Sequence, residues 1–225
     1  MKLAIFDFDG TLYEKDVIPF LIKQWNKLGY PRRKTQKIML KVLPQFIFYK
    51  LGKPSLEVKD RLRNLAYVEF CSLFDGMTRD EIMKFFKGAS IALKKNLRNS
   101  ITDEVVRLKA RGYYTVLISG AFNDLLLLSL NELPFDKIIG SNLYFKENGL
   151  YDIEKRILEI KGSNKIDIIY DLLSNHDVDY NSSIAFCDSV TDIKLLEAVG
   201  KPVAVCPDNH LRKICNEKKW EIIEK

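Results

Sequence analysis

The stretch LAIFDFDGT (Leu3–Thr11) decides the fold. Leu3–Phe6 is a short apolar run ending on Asp7, the pattern of a strand buried on both faces with polar groups at its carboxyl end. Outward from it the texture changes. From Glu14 to about Leu108, apolar residues recur at helical spacing with Lys and Arg between them. Breaks fall near Gly29-Tyr30-Pro31, Pro44, Gly52-Lys53-Pro54 and Gly76. Strand texture returns at Tyr113–Ile118 (YYTVLI), after a helix that stops at Gly112.

Beyond that strand, Phe122–Leu130 reads as a helix and Lys137–Gly140 as a short strand. Asn142–Ile153 reads as a hairpin turning at Asn148-Gly149, a strong two-residue turn signal. Ile166–Leu173 is helical, Ser183–Cys187 a strand, Asp192–Val199 a helix ending at Gly200, and Pro202–Cys206 a core strand. Strands alternating with helices imply an α/β fold with a doubly wound parallel sheet. The helical block is then an insertion. The expected division is a core of residues 1–13 plus 102–225 and an inserted all-helical domain over 14–101.

The 225 residues carry 36 Lys+Arg against 30 Asp+Glu, a net charge of +6, and are 47% hydrophobic. That balance excludes a disordered chain. Gly112–Asn123 lacks charge but is only 12 residues long, against the roughly 20 that span a bilayer. The opening MKLAIFDFDG meets two aspartates before any long apolar core, so no signal peptide is visible and a cytoplasmic location is expected. Cys71, Cys187, Cys206 and Cys215 form no C-x-x-C pair, and the two histidines, His176 and His210, fall in expected loops. This is not zinc-site spacing; the cysteines read as reduced thiols in a reducing compartment.

In an open parallel sheet, ligands bind outside the carboxyl ends of the strands. Asp7-Phe8-Asp9-Gly10-Thr11 follows the first strand, Ser119-Gly120 the second, and Asp188 a later one, with Asp192 four residues on. Four carboxylates on one rim repel one another unless a cation resides there. Oxygen donors without imidazole or thiolate point to Mg²⁺. A carboxylate beside such an ion can attack phosphorus, and a second, two residues on, can act as acid and base. Each residue also has a plainer reading: Asp192 as a helix cap, Thr11 as a turn residue, Ser119-Gly120 as a loop start, Lys165 as a surface lysine.

DFDGT at Asp7–Thr11, LISGA around Ser119, Lys165 and DSVTD at Asp188–Asp192 together resemble the haloacid dehalogenase superfamily, in order and over nearly the whole chain. The tail Pro202–Trp220 is similar to its subgroup of phosphoserine phosphatase relatives. The resemblance implies a Rossmann-like core with a helical cap, and a Mg²⁺-dependent phosphomonoester hydrolase acting on a small phosphorylated metabolite. It implies Asp7 as nucleophile and Asp9 as general acid and base. Asp7, the Asp9 carbonyl and Asp188 would hold Mg²⁺, with Asp192 a ligand through water or a partner of the ligands. Thr11, Ser119 and the Gly120 N–H would serve the phosphoryl group, and Lys165 would neutralise charge, with Lys161 the rival for that position. Asp9 also separates the chain from dehalogenases, which lack the second aspartate.

Within that resemblance Asp16 stands where phosphoserine phosphatases carry an acidic substrate-binding residue. Their cap arginine has no counterpart around Phe70-Cys71-Ser72; Arg61 and Arg63 lie a helix turn or two earlier. Phe20, Trp25, Phe46, Phe48 and Tyr49 are expected to pack a helical bundle. Lys37–Lys53 (KIMLKVLPQFIFYKLGK) is apolar between lysines. It reads either as packed helices or as a peripheral contact with an anionic membrane, which would make a lipid-derived phosphomonoester the substrate. A vestigial site on a nucleic-acid or anion-binding protein is the reading from another class. Nucleic acid is not the expected partner, because no basic stripe interleaved with aromatics is present.

Overall fold

The apolar run at the amino terminus becomes β1 (Leu3–Phe6), with all four residues completely buried. It lies inside a six-stranded sheet with β2 (Tyr114–Phe122), β3 (Lys137–Ser141), β4 (Ile184–Cys187), β5 (Lys201–Val205) and β6 (Glu221–Ile223). The strand order is β3-β2-β1-β4-β5-β6 and every neighbouring pair is parallel. The computed structural model describes residues 1–51, 56–155 and 160–224, apart from the side chains of 48–51, 56, 59 and 60.

Parallel strands need crossovers, and helices supply them. These are α5 (Asn99–Ala110), α6 (Asn123–Ser129), α7 (Lys165–Leu172), α8 (Ile193–Glu197) and α9 (Asn209–Lys218). Leu3 and Ile5 point to one face, where they join a core with Ile166 and Ile169 of α7, Leu195 and Leu196 of α8, and Leu211 of α9. On the other face Phe6 stacks on Phe186 at 4.7 Å between centroids. Burial on both faces is why β1 is a continuous apolar run with no alternation.

The chain divides into two compact units. The sheet unit comprises Met1–Asp16, Ser90–Asn142 and Ile157–Lys225; the helical unit comprises Val17–Ala89 and Leu143–Arg156. These bounds differ from the 14–101 stretch taken from the sequence. Residues 90–101 group with the sheet because the Arg98 N–H donates to the Leu12 carbonyl at 2.8 Å and Leu97 bridges Tyr13. Leu143–Arg156 groups with the helices because the Tyr151 N–H donates to the Met77 carbonyl at 2.8 Å and Leu150 bridges Thr78.

The helical unit contains α1 (Val17–Lys27), α2 (Arg32–Leu51), α3 (Leu56–Cys71) and most of α4 (Arg79–Lys94). Trp25, Phe70, Phe74, Phe85 and Phe86 form a buried aromatic core, with Trp25 5.3 Å from Phe85. Trp25 thus packs as expected and Phe20 is half-buried, but Phe46 is 41% exposed. The side chains of Phe48 and Tyr49 lie outside the described residues.

The expected hairpin forms about the Asn148-Gly149 turn, with Phe145 bridging Tyr151 and the Lys146 and Asp152 N–H groups donating to the Leu150 and Tyr144 carbonyls, each at 2.9 Å. Two features depart from the sequence expectations. β6 adds an edge strand beside β5 that was not anticipated. His210 lies in the first turn of α9, not in a loop, because the Asp208 carboxylate caps that helix by accepting from the His210 and Leu211 N–H groups. All four cysteines are unpaired thiols. Among the described residues no helix is long and apolar enough to cross a membrane.

Candidate active site

The strand order reverses between β1 and β4, so a crevice opens beyond their carboxyl ends. Register brings those ends level: Phe6 pairs with Phe186, and the Asp7 N–H donates to the Phe186 carbonyl at 3.0 Å. Asp7 and Asp188 therefore leave neighbouring strands at the same edge. Beyond β4 the chain makes a tight helical turn over Val190–Asp192 before α8, and this turn carries Asp192 back to the rim. Carboxylate oxygens of Asp7, Asp188 and Asp192 lie within 4.8 Å of one another.

Lys165, the first residue of α7, reaches the same point. Its ammonium is 2.6 Å from Asp7 Oδ1 and 2.9 Å from Asp192 Oδ1, and all three side chains are buried. Burial disfavours the ammonium, but Asp192 and then Asp7 outweigh it and hold Lys165 above its ordinary pKa. Lys161 is exposed at the start of the preceding turn, where its N–H donates to Asn164 Oδ1. Cys187, beside this cluster, is pushed well above the usual thiol range by burial, with Asp192 acting in the same direction. It is a neutral packing thiol.

The Asp7–Thr11 loop is held by its own backbone. The Phe8 N–H donates to Asp7 Oδ1 at 2.7 Å, and the Thr11 and Tyr13 N–H groups both donate to the Phe8 carbonyl. Gly10 adopts φ +76°, and a Cβ there would meet Asp188 Oδ2 at 2.1 Å, so only glycine lets the two loops approach. Asp9 is half-buried; burial first, then the Asp9 charge, raises the Tyr13 phenol to about 12. Thr11 is completely buried, with no hydrogen-bond partner for its hydroxyl. Ser119 and Gly120 follow at the same edge, two and three residues past Leu117, which pairs with Phe6. Ser119 Oγ accepts from the Ala121 N–H at 3.1 Å.

Asp16 is exposed at the end of the sheet unit's first segment. Arg61 and Arg63 are exposed on α3 of the helical unit. Two residues play supporting roles that the sequence reading did not assign. Arg98 is buried and donates from Nε to the Thr11 carbonyl at 3.1 Å and from Nη2 to the Gly10 carbonyl at 3.3 Å. Asp208 accepts from the Ser189 hydroxyl at 3.1 Å and the Val190 N–H at 3.3 Å, tying the Asp188 loop to the start of α9. Its helix-capping position was the available signal.

Three carboxylates gather around one ammonium here, so acidic groups outnumber the basic one within a few ångströms. An oxygen-only donor set with that surplus fits a hard divalent cation. The residues present therefore suit such an ion.

The family model of the haloacid dehalogenase-like hydrolases matches residues 4–197. Among curated proteins, the inhibition of morphological differentiation protein of Streptomyces azureus is 24% identical over 98% of this chain and 77% of its own length. The phosphoserine phosphatase of Methanocaldococcus jannaschii is 24% identical over 97% of this chain and 93% of its own. Among solved structures, a Bordetella pertussis protein of unknown function shares the fold with a TM-score of 0.79, at 20% identity over 99% of this chain and 97% of the other. A phospho-aspartyl intermediate analogue of phosphoserine phosphatase gives a TM-score of 0.62, at 19% identity over 98% and 91%. The chain belongs to the haloacid dehalogenase-like hydrolases.

Proposed function

We propose that the chain hydrolyses a small phosphomonoester through a phosphoaspartate on Asp7, with Mg²⁺ as cofactor. The observation that carries this reading is the buried cluster of Asp7, Asp188, Asp192 and Lys165 at the carboxyl ends of β1 and β4. Asp7, Asp188 and the Asp9 carbonyl would hold the ion, with Asp192 beside them. When bound, it supplies positive charge against the phosphoryl oxygens.

Asp7 attacks phosphorus through a carboxylate oxygen, and the bond from phosphorus to the ester oxygen breaks. Asp9 gives its proton to the departing oxygen. It then takes a proton from water as that water attacks phosphorus, and the bond from Asp7 to phosphorus breaks, releasing phosphate. Lys165 orients Asp7 and offsets its charge, while Ser119, the Gly120 N–H and Thr11 serve the phosphoryl oxygens. The small-metabolite substrate rests on the phosphatase relatives, and Asp16 stands where a substrate contact is expected.

The test is turnover of a phosphate-ester panel, containing phosphoserine, sugar phosphates, nucleotides and lysophosphatidic species, by wild type and Asp7→Asn. Wild type is expected to release phosphate only with Mg²⁺ and to stop when the ion is chelated. Asp7→Asn is expected to lose at least about a thousandfold in rate while staying folded. Substantial residual activity in that variant would sink the mechanism.

A further inference from the structure

One helix carries a basic excess as large as the net charge of the whole protein. α2 carries six basic residues, Arg32, Arg33, Lys34, Lys37, Lys41 and Lys50, and no Asp or Glu. Setting these six aside leaves 30 Lys+Arg against 30 Asp+Glu, so the net charge of +6 equals the charge of this helix alone. The same helix presents an apolar stripe to solvent. Leu40 is 75% exposed, Met39 51%, Ile47 46% and Leu43 44%. Their spacing of i, i+1, i+4 and i+8 places them on one side of the helix, away from the buried Thr35 and Ile38.

The two features adjoin. Arg33 and Lys37 are exposed on the turns beside the stripe, and Arg32 is exposed at the helix start. Lys41 pairs with Glu69, and Lys34 donates to the carbonyls of Leu73 and Asp75. A groove of about 560 Å³ runs between α1 and α2, with Ile22, Met39, Leu40 and Leu43 among its walls. Aliphatic side chains held in water beside an unbalanced basic strip match a surface whose interior is hydrocarbon and whose headgroups are anionic. Nucleic acid would meet the charge, but among the described side chains of this helix four exposed aliphatic or thioether groups stand against one exposed ring, Phe46, whereas single-strand binders stack bases on aromatic rings.

We propose that the outer face of α2 docks on an anionic phospholipid surface, with Met39, Leu40, Leu43 and Ile47 entering the headgroup boundary and Arg32, Arg33 and Lys37 meeting lipid phosphates. The proposal stands apart from the hydrolytic mechanism and does not depend on it.

The experiment is co-sedimentation of the full chain with vesicles of phosphatidylcholine alone, or of phosphatidylcholine containing phosphatidylglycerol, at low and high salt. Wild type is expected in the pellet with anionic vesicles only, and to be released as salt rises. Each basic residue near such a surface contributes about fivefold in partition, so Arg33→Glu/Lys37→Glu is expected to lower it at least about 25-fold. Leu40→Asp/Leu43→Asp is expected to abolish it. Unchanged circular dichroism and unchanged turnover of a soluble ester in both variants show an intact fold. Wild-type protein that stays in the supernatant overturns the proposal. So does equal binding to neutral vesicles, binding indifferent to the variants, or retention of RNA or an acidic protein without vesicle binding.

Discussion

Lys165 and Asp7 form an ion pair sealed from solvent, Nζ to Oδ1 at 2.6 Å, and the same ammonium also reaches Asp192. Removing one partner of a buried pair leaves uncompensated charge, which destabilises by about 3–5 kcal/mol. Lys165→Met is therefore expected to lower stability by that order in chemical denaturation and to cut turnover. Lys161→Met, at the exposed position, is expected to change neither by a comparable amount. Loss of turnover in the Lys161 variant alone would reverse the assignment of these two lysines.

The sheet was legible because each core strand is an apolar run ending on chemistry. Leu3–Phe6 stops at Asp7 and Ile184–Cys187 at Asp188, while β2 breaks its regular register after Ile118, where Ser119 follows. Parallel register then converts three separate strand ends into one site. What stayed hidden lacks a residue-type signature. β6 has three residues at a sheet edge, with an exposed Glu221, too short and too polar to read as a strand. Arg98 acts on main-chain carbonyls 87 and 88 residues away, and a carbonyl leaves no mark in the sequence. Leu143–Arg156 joins the helical unit through the Met77 and Thr78 backbone, which is equally silent.

Arg98 holds the Asp7–Thr11 loop through the main-chain carbonyls of Gly10 and Thr11. Arg98→Ala withdraws the donors from two carbonyls of a buried loop, at about 1–3 kcal/mol for each left unsatisfied. The expected outcome is a fall in kcat with KM for a small ester nearly unchanged, together with lower Tm. Arg98→Lys keeps a charged donor without the guanidinium fork and should restore part of kcat. Equal loss in both variants, tracking Tm alone, would reduce Arg98 to a structural residue.

Gly10 and Gly149 separate backbone strain from collision. Their φ values are +76° and +79°, but a Cβ on Gly149 meets nothing within 4 Å, whereas one on Gly10 strikes Asp188. Both alanine variants are expected to lose about 1–3 kcal/mol of stability to the left-handed backbone. Only Gly10→Ala should also lose turnover, by more than about tenfold, because Asp188 must move. Steady-state kinetics beside denaturant melts of the two variants decides the matter.

Burial of the Cys71 thiol and the Tyr151 phenol in the helical unit gives the protein an alkaline limit. Burial pushes the Cys71 thiol from its usual 9.0 to about 12, and burial likewise raises the Tyr151 phenol, reinforced by Cys71. Both groups are neutral in the folded chain at pH values where the unfolded chain has begun to lose their protons. The folded state then binds more protons than the unfolded one, and stability falls as pH rises. Stability from these groups is complete below about pH 9 and is lost progressively as pH climbs toward 12. Tm should hold between pH 7 and pH 8.5 on this account and drop above pH 9. Cys71→Ala is expected to shrink that alkaline drop even if it lowers Tm overall, because it removes one of the titrating groups. Thermal melts of both proteins across this range test it, and an alkaline slope identical in the variant would exclude Cys71 as a source.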